Sequence, residues 1–523
     1  MRYFQNLLST TSSSSMDGAS RFFTGRIPEN MRDPLIAAVT DEEIRHALFS
    51  IPDDKAPGPD GYTSLFFKRA WGIIGGDFTA AIRYFFSSGH LPKCVNATRI
   101  TLIPKVENPR SLSDFRPISC CNVLYKCITK IVASRFREIL PSVIGNAQSA
   151  FIPGRQISDS IFLTQELIRN YHLQTSSHRC ALKVDIRKAF DTVSWDFILL
   201  ALRTIGIPDT MIRWIQTCIT TAHFSVALNG ELHGFFRSGR GIRQGDPLSP
   251  YLFVLTMEGL AGIMRATALD PGFTYHWRCR QTSITHLCFA DDLMVFCHAD
   301  TSSVRLVRSA LDDFTRVSGL AINTQKSNVY LSGVSEEIRP HLQAIMGYRF
   351  GTLPARYLGV PLVTTRLRHS DCLPLIERIL SRIRLWTSAT LSYAGRLQLI
   401  RSVLFSIQVY WSSMFILPSA TIRRIESILA AFLWKGTTLS SAGAKVAWSS
   451  ICFPRREGGL GVKRLQTWNR SAILRHIWRL LTDHESTWSS WVRATLLRGQ
   501  SFWSVRVTSG ASWTWRKILQ SRH

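Results

Sequence analysis

Two adjacent aspartates inside an apolar run are the residues of this chain whose setting most suggests chemistry. Asp291 and Asp292 interrupt the segment 287–296, in which all of the remaining residues are apolar. Two short apolar runs around a polar pair predict a β-hairpin over 286–297 with the acids at its tip. Taken alone, the pair is also consistent with a solvated turn. Near an apolar core, however, two carboxylates repel each other and take up protons unless a cation neutralises them.

A third aspartate follows an alternating segment. Between 180 and 186, Leu182, Val184 and Ile186 alternate with positions that include Lys183 and Asp185. A period of two predicts a strand with one apolar face and with Asp185 on the other. If this strand lies beside the hairpin, the three carboxylates offer the hard oxygen ligands that Mg²⁺ prefers. Two such ions, about 3.5–4 Å apart, can activate an attacking hydroxyl and stabilise a departing group.

Two further segments surround these acids. An aromatic residue, Phe190, stands five positions after Asp185, and the run 241–250 is a glycine-rich turn. We expect Ser249 to cap a helix whose first residue is Pro250 and which ends near Ala268.

The order of these segments resembles the palm motifs of plant-like non-LTR (LINE-type) retrotransposon reverse transcriptases. The carriers are Asp-x-x-x-Ala-Phe-Asp at 185–191, Arg-Gln-Gly-Asp-Pro-Leu-Ser-Pro at 243–250 and Phe-Ala-Asp-Asp at 289–292. Five more blocks are similar to that family, at 55–61, 103–105 with 114–119, 148–155, 319–327 and 357–360. One motif is weak support, whereas eight in the right order are strong. The similarity covers roughly residues 40–365 and extends loosely beyond.

The resemblance implies an RNA-directed DNA polymerase that adds dNTPs to a DNA primer on an RNA template, with two Mg²⁺ ions (or Mn²⁺). It implies that Asp185, Asp291 and Asp292 are the catalytic and metal-binding residues. By similarity Asp185 and Asp291 hold both ions, and Asp292 supports the site or the primer end.

The resemblance also implies a set of nucleotide-binding residues. Phe190 would be a steric gate against a 2′-hydroxyl, with a plain core residue as the alternative. Lys326 resembles a proposed proton donor to pyrophosphate, with a surface lysine as the alternative. The remaining members would lie beside the incoming nucleotide or clamp its triphosphate; they are Gln244, Gly245, Lys105 and Arg116. We expect Asp191 and His286 to be structural.

The expected fold class is α+β: a right-hand polymerase with fingers, a palm with an antiparallel sheet and a helical thumb, followed by a mostly α-helical extension. The expected boundaries are a flexible N-terminal segment at 1–40, which includes a Ser/Thr tract at 10–15, and fingers with an N-terminal extension at 41–180. The palm would cover 181–335, the thumb 336–435 and a basic, Trp-rich helical region 436–523. Within these we expect a helix from Thr40 to before Pro52, a strand at 98–105 and a helix at 119–139.

The charge of the chain indicates its partner. With 63 Lys+Arg and 36 Asp+Glu the net charge is +27, and nucleic acid is the commonest counterpart of such a surplus. From Arg366 onward 24 basic residues face 6 acidic ones, and 11 of the 15 Trp lie there. Basic residues interleaved with aromatics are typical of a surface that tracks phosphates and stacks on bases. A helical bundle with buried Trp explains the same composition equally well.

Other classes are disfavoured. The longest apolar stretch, Val403–Leu417, is too short and too polar to cross a bilayer, so we expect no membrane partner. The 11 Cys contain no Cys-x-x-Cys pair, so we expect no structural zinc within this chain. A nuclear location, otherwise a cytoplasmic one, is inferred from function alone. We also expect neither the N-terminal endonuclease nor the C-terminal zinc module that LINE-type relatives carry.

Three alternative functions remain open from the sequence. The chain could be a catalytically idle or domesticated remnant that only binds nucleic acid. An intron maturase has a related palm, but the block at 55–61 argues against it. A viral RNA-dependent RNA polymerase would be difficult to reconcile with Phe190 as a gate.

Overall fold

The computed structural model describes residues 2–10, 16–174, 177–386, 391–436, 446–507 and 511–522. The chain divides into two compact units. The first contains Met1–Gln156, His178–Trp277 and Ile284–Phe350, and the second contains Ile157–Ser177, Arg278–Ser283 and Gly351–His523.

The first unit is α+β. Numbered along the whole chain, its helices are α1 (Arg2–Ser9), α2 (Arg32–Ile36), α3 (Asp41–Phe49), α4 (Ser64–Arg69), α5 (Trp71–Ser88), α6 (Val123–Val143), α8 (Ala189–Thr192), α9 (Trp195–Ile205), α10 (Asp209–Thr220), α11 (Ser249–Thr267), α12 (Thr301–Ser318) and α13 (Ile338–Met346). Its strands are β1 (Ala97–Pro104), β2 (Phe115–Cys121), β3 (Arg179–Val184), β4 (His223–Leu228), β5 (Glu231–Arg237), β6 (His286–Phe289), β7 (Asp292–His298), β8 (Asn328–Ser332) and β9 (Arg349–Phe350).

A five-stranded sheet carries the predicted acids. Its order is β6-β7-β3-β8-β9, and β3 lies antiparallel to both β7 and β8. Residues of these strands, including Leu182, Val295 and Val329, share one buried core with residues of α9, α11 and α12. The predicted hairpin at 286–297 is therefore confirmed, whereas the strand predicted at 180–186 runs from Arg179 to Val184 and ends just before Asp185. His286 is buried in β6, as expected of a packed strand residue.

A second sheet has the order β2-β1-β4-β5. Its β1–β2 pair is an antiparallel hairpin, and β4 runs parallel to β1. Helix α1 covers part of this sheet: Phe4 and Leu8 are buried in a small core with Ile100, Phe224 and Phe236. The prediction of a flexible segment over 1–40 therefore needs correction. Apolar side chains from α1, and from 19–35, are buried in the first unit, while the predicted tract at 11–15 lies outside the described residues.

Two predicted helix boundaries were wrong. The helix expected from Ser119 begins at Val123, because Ser119–Cys121 instead pair with Ile100–Thr98 of β1. Helix α11 begins at Ser249 itself and is preceded by Leu248 without a side-chain cap, so Ser249 is not the cap. The helix predicted from Thr40 is confirmed as α3, and the Thr40 hydroxyl accepts a hydrogen bond from the Glu43 amide.

The second unit is mainly helical. Its helices are α7 (Ile157–Leu167), α14 (Leu373–Arg384), α15 (Tyr393–Leu399), α16 (Phe405–Met414), α17 (Ser419–Lys435), α18 (Trp448–Ile451), α19 (Leu465–Thr482), α20 (Thr487–Val492) and α21 (Trp513–Gln520). A π-helical stretch, Ile400–Leu404, joins α15 to α16, and the short strands β10 (Ala355–Tyr357) and β11 (Val360–Leu362) pair antiparallel.

Buried ion pairs and aromatic rings hold this unit together. Arg479 of α19 donates both η nitrogens to Asp159 of α7, at 2.9 and 3.1 Å. Trp491 is fully buried, whereas Trp478 is 67% exposed. The Trp-rich composition thus provides both core residues and exposed aromatics.

The fold class is as expected: an α+β unit with the acids on a mainly antiparallel sheet, and a mostly helical remainder. The finer boundaries between fingers, palm, thumb and C-terminal region stay predictions. Within the described ranges, no helix is long and apolar enough to cross a membrane.

Candidate active site

The register of the five-stranded sheet brings the three aspartates together. Val184 of β3 pairs with Leu293 of β7, so Asp185 follows the last paired residue of β3 and comes close enough to Asp292 to affect its charge. Directly paired residues of antiparallel strands have Cα atoms about 4.5–5.5 Å apart. Phe289 pairs with Asp292, which leaves a two-residue turn that ends with Asp291. Acids more than 100 positions apart in sequence therefore meet at one edge of the sheet.

The carboxylates also sense one another. Loss of water around Asp291 raises its pKa, and the charge of Asp185 raises it further. Partial burial raises the pKa of Asp292, and the negative charges of Asp291 and Asp185 raise it further. A cation at this edge would relieve that repulsion.

Asp185 is held on its other side by the segment 321–327. Its amide donates to the Ser327 hydroxyl at 3.1 Å, and its carbonyl accepts from the Asn323 amide at 2.8 Å. The same segment carries Lys326, so these bonds set the position of the lysine relative to the acid.

A cavity of about 730 Å³ opens on this edge. That is within the range of about 300–1,000 Å³ typical of ligand pockets. Seven of the nine predicted site residues line it, namely Asp185, Asp291, Lys105, Arg116, Phe190, Gln244 and Lys326. Asp292 and Gly245 are not among its lining residues.

The cavity also has basic lining residues. Lys105 and Arg116 lie at the loop end of the β1–β2 hairpin, where Ile103 pairs with Arg116. Partial burial lowers the pKa of Lys105, and the charges of Lys326 and Arg116 lower it further. Cations that disfavour one another in this way would be stabilised by an anion with several charges.

Aromatic packing fixes another lining residue of the cavity, Phe190. The ring of Phe190 stacks on Phe253 of α11, with centroids 4.9 Å apart and planes 17° apart. One face of Phe190 is thereby held, and the residue lines the cavity. The Phe190 carbonyl accepts from the Ile242 amide at 2.7 Å, which ties it to the glycine-rich turn.

That turn lies against β2. The Gln244 carbonyl accepts from the Ser119 amide at 2.8 Å. Gly245 has φ 113°, and a Cβ at this position would lie 2.9 Å from the Ser119 carbonyl oxygen. Gly245 therefore acts by letting Gln244 approach β2 closely.

Several residues of the site were missed from sequence. Tyr3, Phe4 and Leu7 of α1 line the cavity, and the Lys188 ammonium donates to the Tyr3 hydroxyl at 2.6 Å. No periodic signal marked so short a helix.

Buried anchors of the glycine-rich turn were also missed. Arg243 donates to Asn96, Thr98 and the Cys218 carbonyl, and it lies over the Tyr125 ring. The charges inside the run 241–250 were visible, but nothing in sequence showed that Arg243 would be buried.

The donor set fits a divalent metal that shares its ligands with a substrate. Among the described residues, no three His, Cys, Asp or Glu side chains converge closely enough to hold a metal alone. Mg²⁺ is commonly bound by one or two carboxylates together with substrate phosphates. Asp185 and Asp291, both facing the cavity, match that pattern. Metal binding by Asp292 and the expected lack of structural zinc stay predictions.

The chain is similar in sequence to several known proteins. Residues 103–362 match the family model described as reverse transcriptase (RNA-dependent DNA polymerase). The chain is 28% identical over 494 residues to the transposon TX1 uncharacterized 149 kDa protein of Xenopus laevis, covering 93% of this chain and 36% of that protein. It is 27% identical over 464 residues to the retrovirus-related Pol polyprotein from the type-2 retrotransposable element R2DM of Drosophila melanogaster, covering 86% and 42%.

The chain spans about two fifths of the length of these curated relatives. A solved structure of apo telomerase from Candida tropicalis, truncated from its C-terminal domain, aligns over 59% of this chain and 60% of that one, with 12% identity and a TM-score of 0.37. A TM-score at that level does not establish a shared fold, so the assignment rests on the family match and the relatives. The chain therefore contains a reverse transcriptase (RNA-dependent DNA polymerase) domain at residues 103–362.

Proposed function

We propose that this chain is an RNA-directed DNA polymerase of the non-LTR retrotransposon type, which extends a DNA primer on an RNA template. One observation carries the proposal: a single cavity is lined by the acidic residues Asp185 and Asp291 and by the basic residues Lys105, Arg116 and Lys326. That distribution of charge suits a nucleoside triphosphate with its metal ions. The net charge of +27 suits the template and primer.

The proposed chemistry assigns one task to the acidic residues that line the cavity and another to the basic residues. Asp185 and Asp291 would hold two Mg²⁺ ions, which when bound activate the primer 3′-hydroxyl and stabilise the leaving pyrophosphate. Lys105 and Arg116 would hold the triphosphate. The planar fork of Arg116 matches phosphate oxygens in two directions. Lys326, exposed at the edge of the cavity, would donate a proton to the departing pyrophosphate.

Phe190 and Gln244 would select and orient the nucleotide. A ring that is stacked on Phe253 cannot turn aside easily, so a 2′-hydroxyl placed against it would clash. The backbone of Gln244 is hydrogen-bonded to β2, and its side chain would contact the nucleotide in the same cavity. A nuclear location follows as part of this proposal from the function alone.

Primer extension tests the proposal. The purified chain, an RNA template with an annealed DNA primer, the four dNTPs and Mg²⁺ should yield extended primer. Asp291→Asn should lower the rate by about 10³-fold or more, because it removes one of the carboxylates proposed to hold both ions. Asp313→Asn is the matched control, since Asp313 is partly exposed on α12 and pairs with nearby Arg316.

The result also separates the alternative function. If the unaltered chain binds primed RNA but adds no nucleotide with either Mg²⁺ or Mn²⁺, the polymerase proposal fails and nucleic-acid binding alone remains. Binding that depends steeply on salt and survives Asp291→Asn would then support the remnant.

A further inference from the structure

The turn that presents Asp291 has an unfavourable backbone. Ala290 and Asp291 form the two-residue turn between β6 and β7. Ala290 has φ 54°, the left-handed region that residues with a Cβ rarely adopt. Two-residue hairpin turns usually place Asn or Gly at such a position. Because the local sequence does not favour this turn, another part of the protein must hold it.

The buried side chain of Gln148 contacts both backbone polar groups of Ala290. Its Oε1 accepts from the Ala290 amide at 3.0 Å, and its Nε2 donates to the Ala290 carbonyl at 3.4 Å. The same Oε1 accepts from the Ala150 amide at 3.0 Å. Gln148 is 3% exposed, so water does not replace these bonds. Only a side chain of this length with both an acceptor and a donor can make this pair of contacts.

The backbone around Gln148 is itself paired with β6. The Ser149 amide donates to the Cys288 carbonyl at 3.0 Å, and the Cys288 amide donates to the Ala147 carbonyl at 2.7 Å. Gln148 therefore forms an isolated parallel bridge with Cys288 of β6, which fixes the distance between its side chain and the turn.

Two charged residues hold the backbone around Gln148 in place. Arg155 donates to the carbonyls of Ile144, Gly145 and Gln148 at 2.6–2.7 Å. Glu258 of α11 accepts from the Gly145 amide at 2.8 Å. The segment 144–155 is thus anchored to α11 through Gly145 and to the turn that presents Asp291 through Gln148.

We propose that Gln148 is a positioning residue, which holds Ala290 in its left-handed conformation and so directs the Asp291 carboxylate into the cavity beside Asp185. This proposal rests on the proposed function for its catalytic consequence. Gln148 is not among the lining residues of the cavity, and it acts only through the turn.

The test compares two glutamines that make the same kind of contact. Gln148→Met keeps the length of the side chain and removes both hydrogen bonds to Ala290, together with the one from the Ala150 amide. Gln165→Met is the matched control, because buried Gln165 likewise donates to and accepts from the backbone of one residue, Val363, within the second unit. Both variants should lose comparable thermal stability.

The readouts distinguish positioning from stability. Gln148→Met should lower kcat for primer extension at least tenfold at saturating template, with less than a threefold change in KM for dNTP, while Gln165→Met leaves kcat within twofold. Hydrogen exchange in 286–298 should be at least tenfold faster in Gln148→Met only. Adding Ala290→Gly to Gln148→Met should restore at least half of the lost log kcat, because glycine adopts this turn without support.

Equal kcat losses in the two glutamine variants, unchanged exchange in 286–298, or a lack of rescue by Ala290→Gly would each overturn the proposal. If Gln148→Met does not fold, Gln148→Glu keeps the acceptor and removes only the donor, and it should show a smaller effect on the same readouts. If the unaltered chain is inactive, the proposed function fails. The exchange measurement still decides whether Gln148 holds the turn.

Discussion

Phe190 shows how one residue could set the sugar specificity of the cavity. Its ring is held against Phe253, so the space beside the nucleotide sugar is rigid. Phe190→Val should raise incorporation of ribonucleotides relative to deoxynucleotides roughly tenfold or more, because it removes the steric barrier. Single-nucleotide addition with competing dNTP and NTP measures the ratio.

Phe190→Tyr is the control for that substitution, since it keeps the ring and should keep the discrimination. An unchanged ratio in Phe190→Val would show that Phe190 is only a core residue, which the sequence also allowed.

Gly245 makes a separate prediction about close approach. Gly245 and Gly230 both have positive φ, at 113° and 89°, so an alanine is strained at either position. Only at Gly245 would the added Cβ meet backbone, 2.9 Å from the Ser119 oxygen, while nothing lies within 4 Å at Gly230. Gly245→Ala should therefore lower the free energy of unfolding by about 1–3 kcal/mol more than Gly230→Ala does.

Denaturant unfolding of both variants measures that difference, and KM for dNTP shows whether Gln244 has moved. Equal losses of stability would mean that β2 gives way without cost and that the close approach is not required.

At the scale of elements, the sequence predicted what local pattern determines. The period of two around Asp185 and the apolar flanks of Asp291 were sufficient to predict β3 and the β6–β7 hairpin. The start of α6 was missed because Ser119–Cys121 are drawn into β2 by pairing with β1, a contact between segments far apart in sequence. The gathering of Lys105, Arg116 and Lys326 into one cavity came from family resemblance, since no local pattern relates their segments.

Helix α1 is the element that sequence reasoning missed most clearly. A helix of eight residues is marginal alone and forms here because tertiary contacts bury Phe4 and Leu8 against the β2-β1-β4-β5 sheet. Phe4→Ala should cost about 3–5 kcal/mol if α1 stays in place, or less if the helix detaches. Hydrogen exchange in β4 and β5 should become faster.

Gln5→Ala is the control on the exposed face of α1, and it should leave both stability and exchange unchanged. If Phe4→Ala behaves like Gln5→Ala, α1 is not part of the folded unit in solution and the N-terminal segment is flexible, as first expected.

At the scale of the whole molecule, each unit contains a buried histidine that must stay neutral. Burial lowers the pKa of His286 in the first unit to about 4, and the nearby charge of Arg265 adds to the effect. Burial likewise lowers the pKa of His476 in the second unit to about 4. Between pH 6.5 and 4 the unfolded chain therefore binds protons that the folded chain does not.

The free energy of unfolding should consequently fall as the pH decreases from 6.5 towards 4, by up to about 3 kcal/mol for each histidine. His286→Gln and His476→Gln should each flatten this dependence within their own unit, as followed by unit-resolved hydrogen exchange at pH 7, 6 and 5. Exposed His90→Gln is the control and should follow the unaltered chain. If His286→Gln loses as much stability between pH 7 and 5 as the unaltered chain, then the imidazole is hydrated or paired in solution. The contact between β6 and the backbone around Gln148 would then be looser than the structure shows.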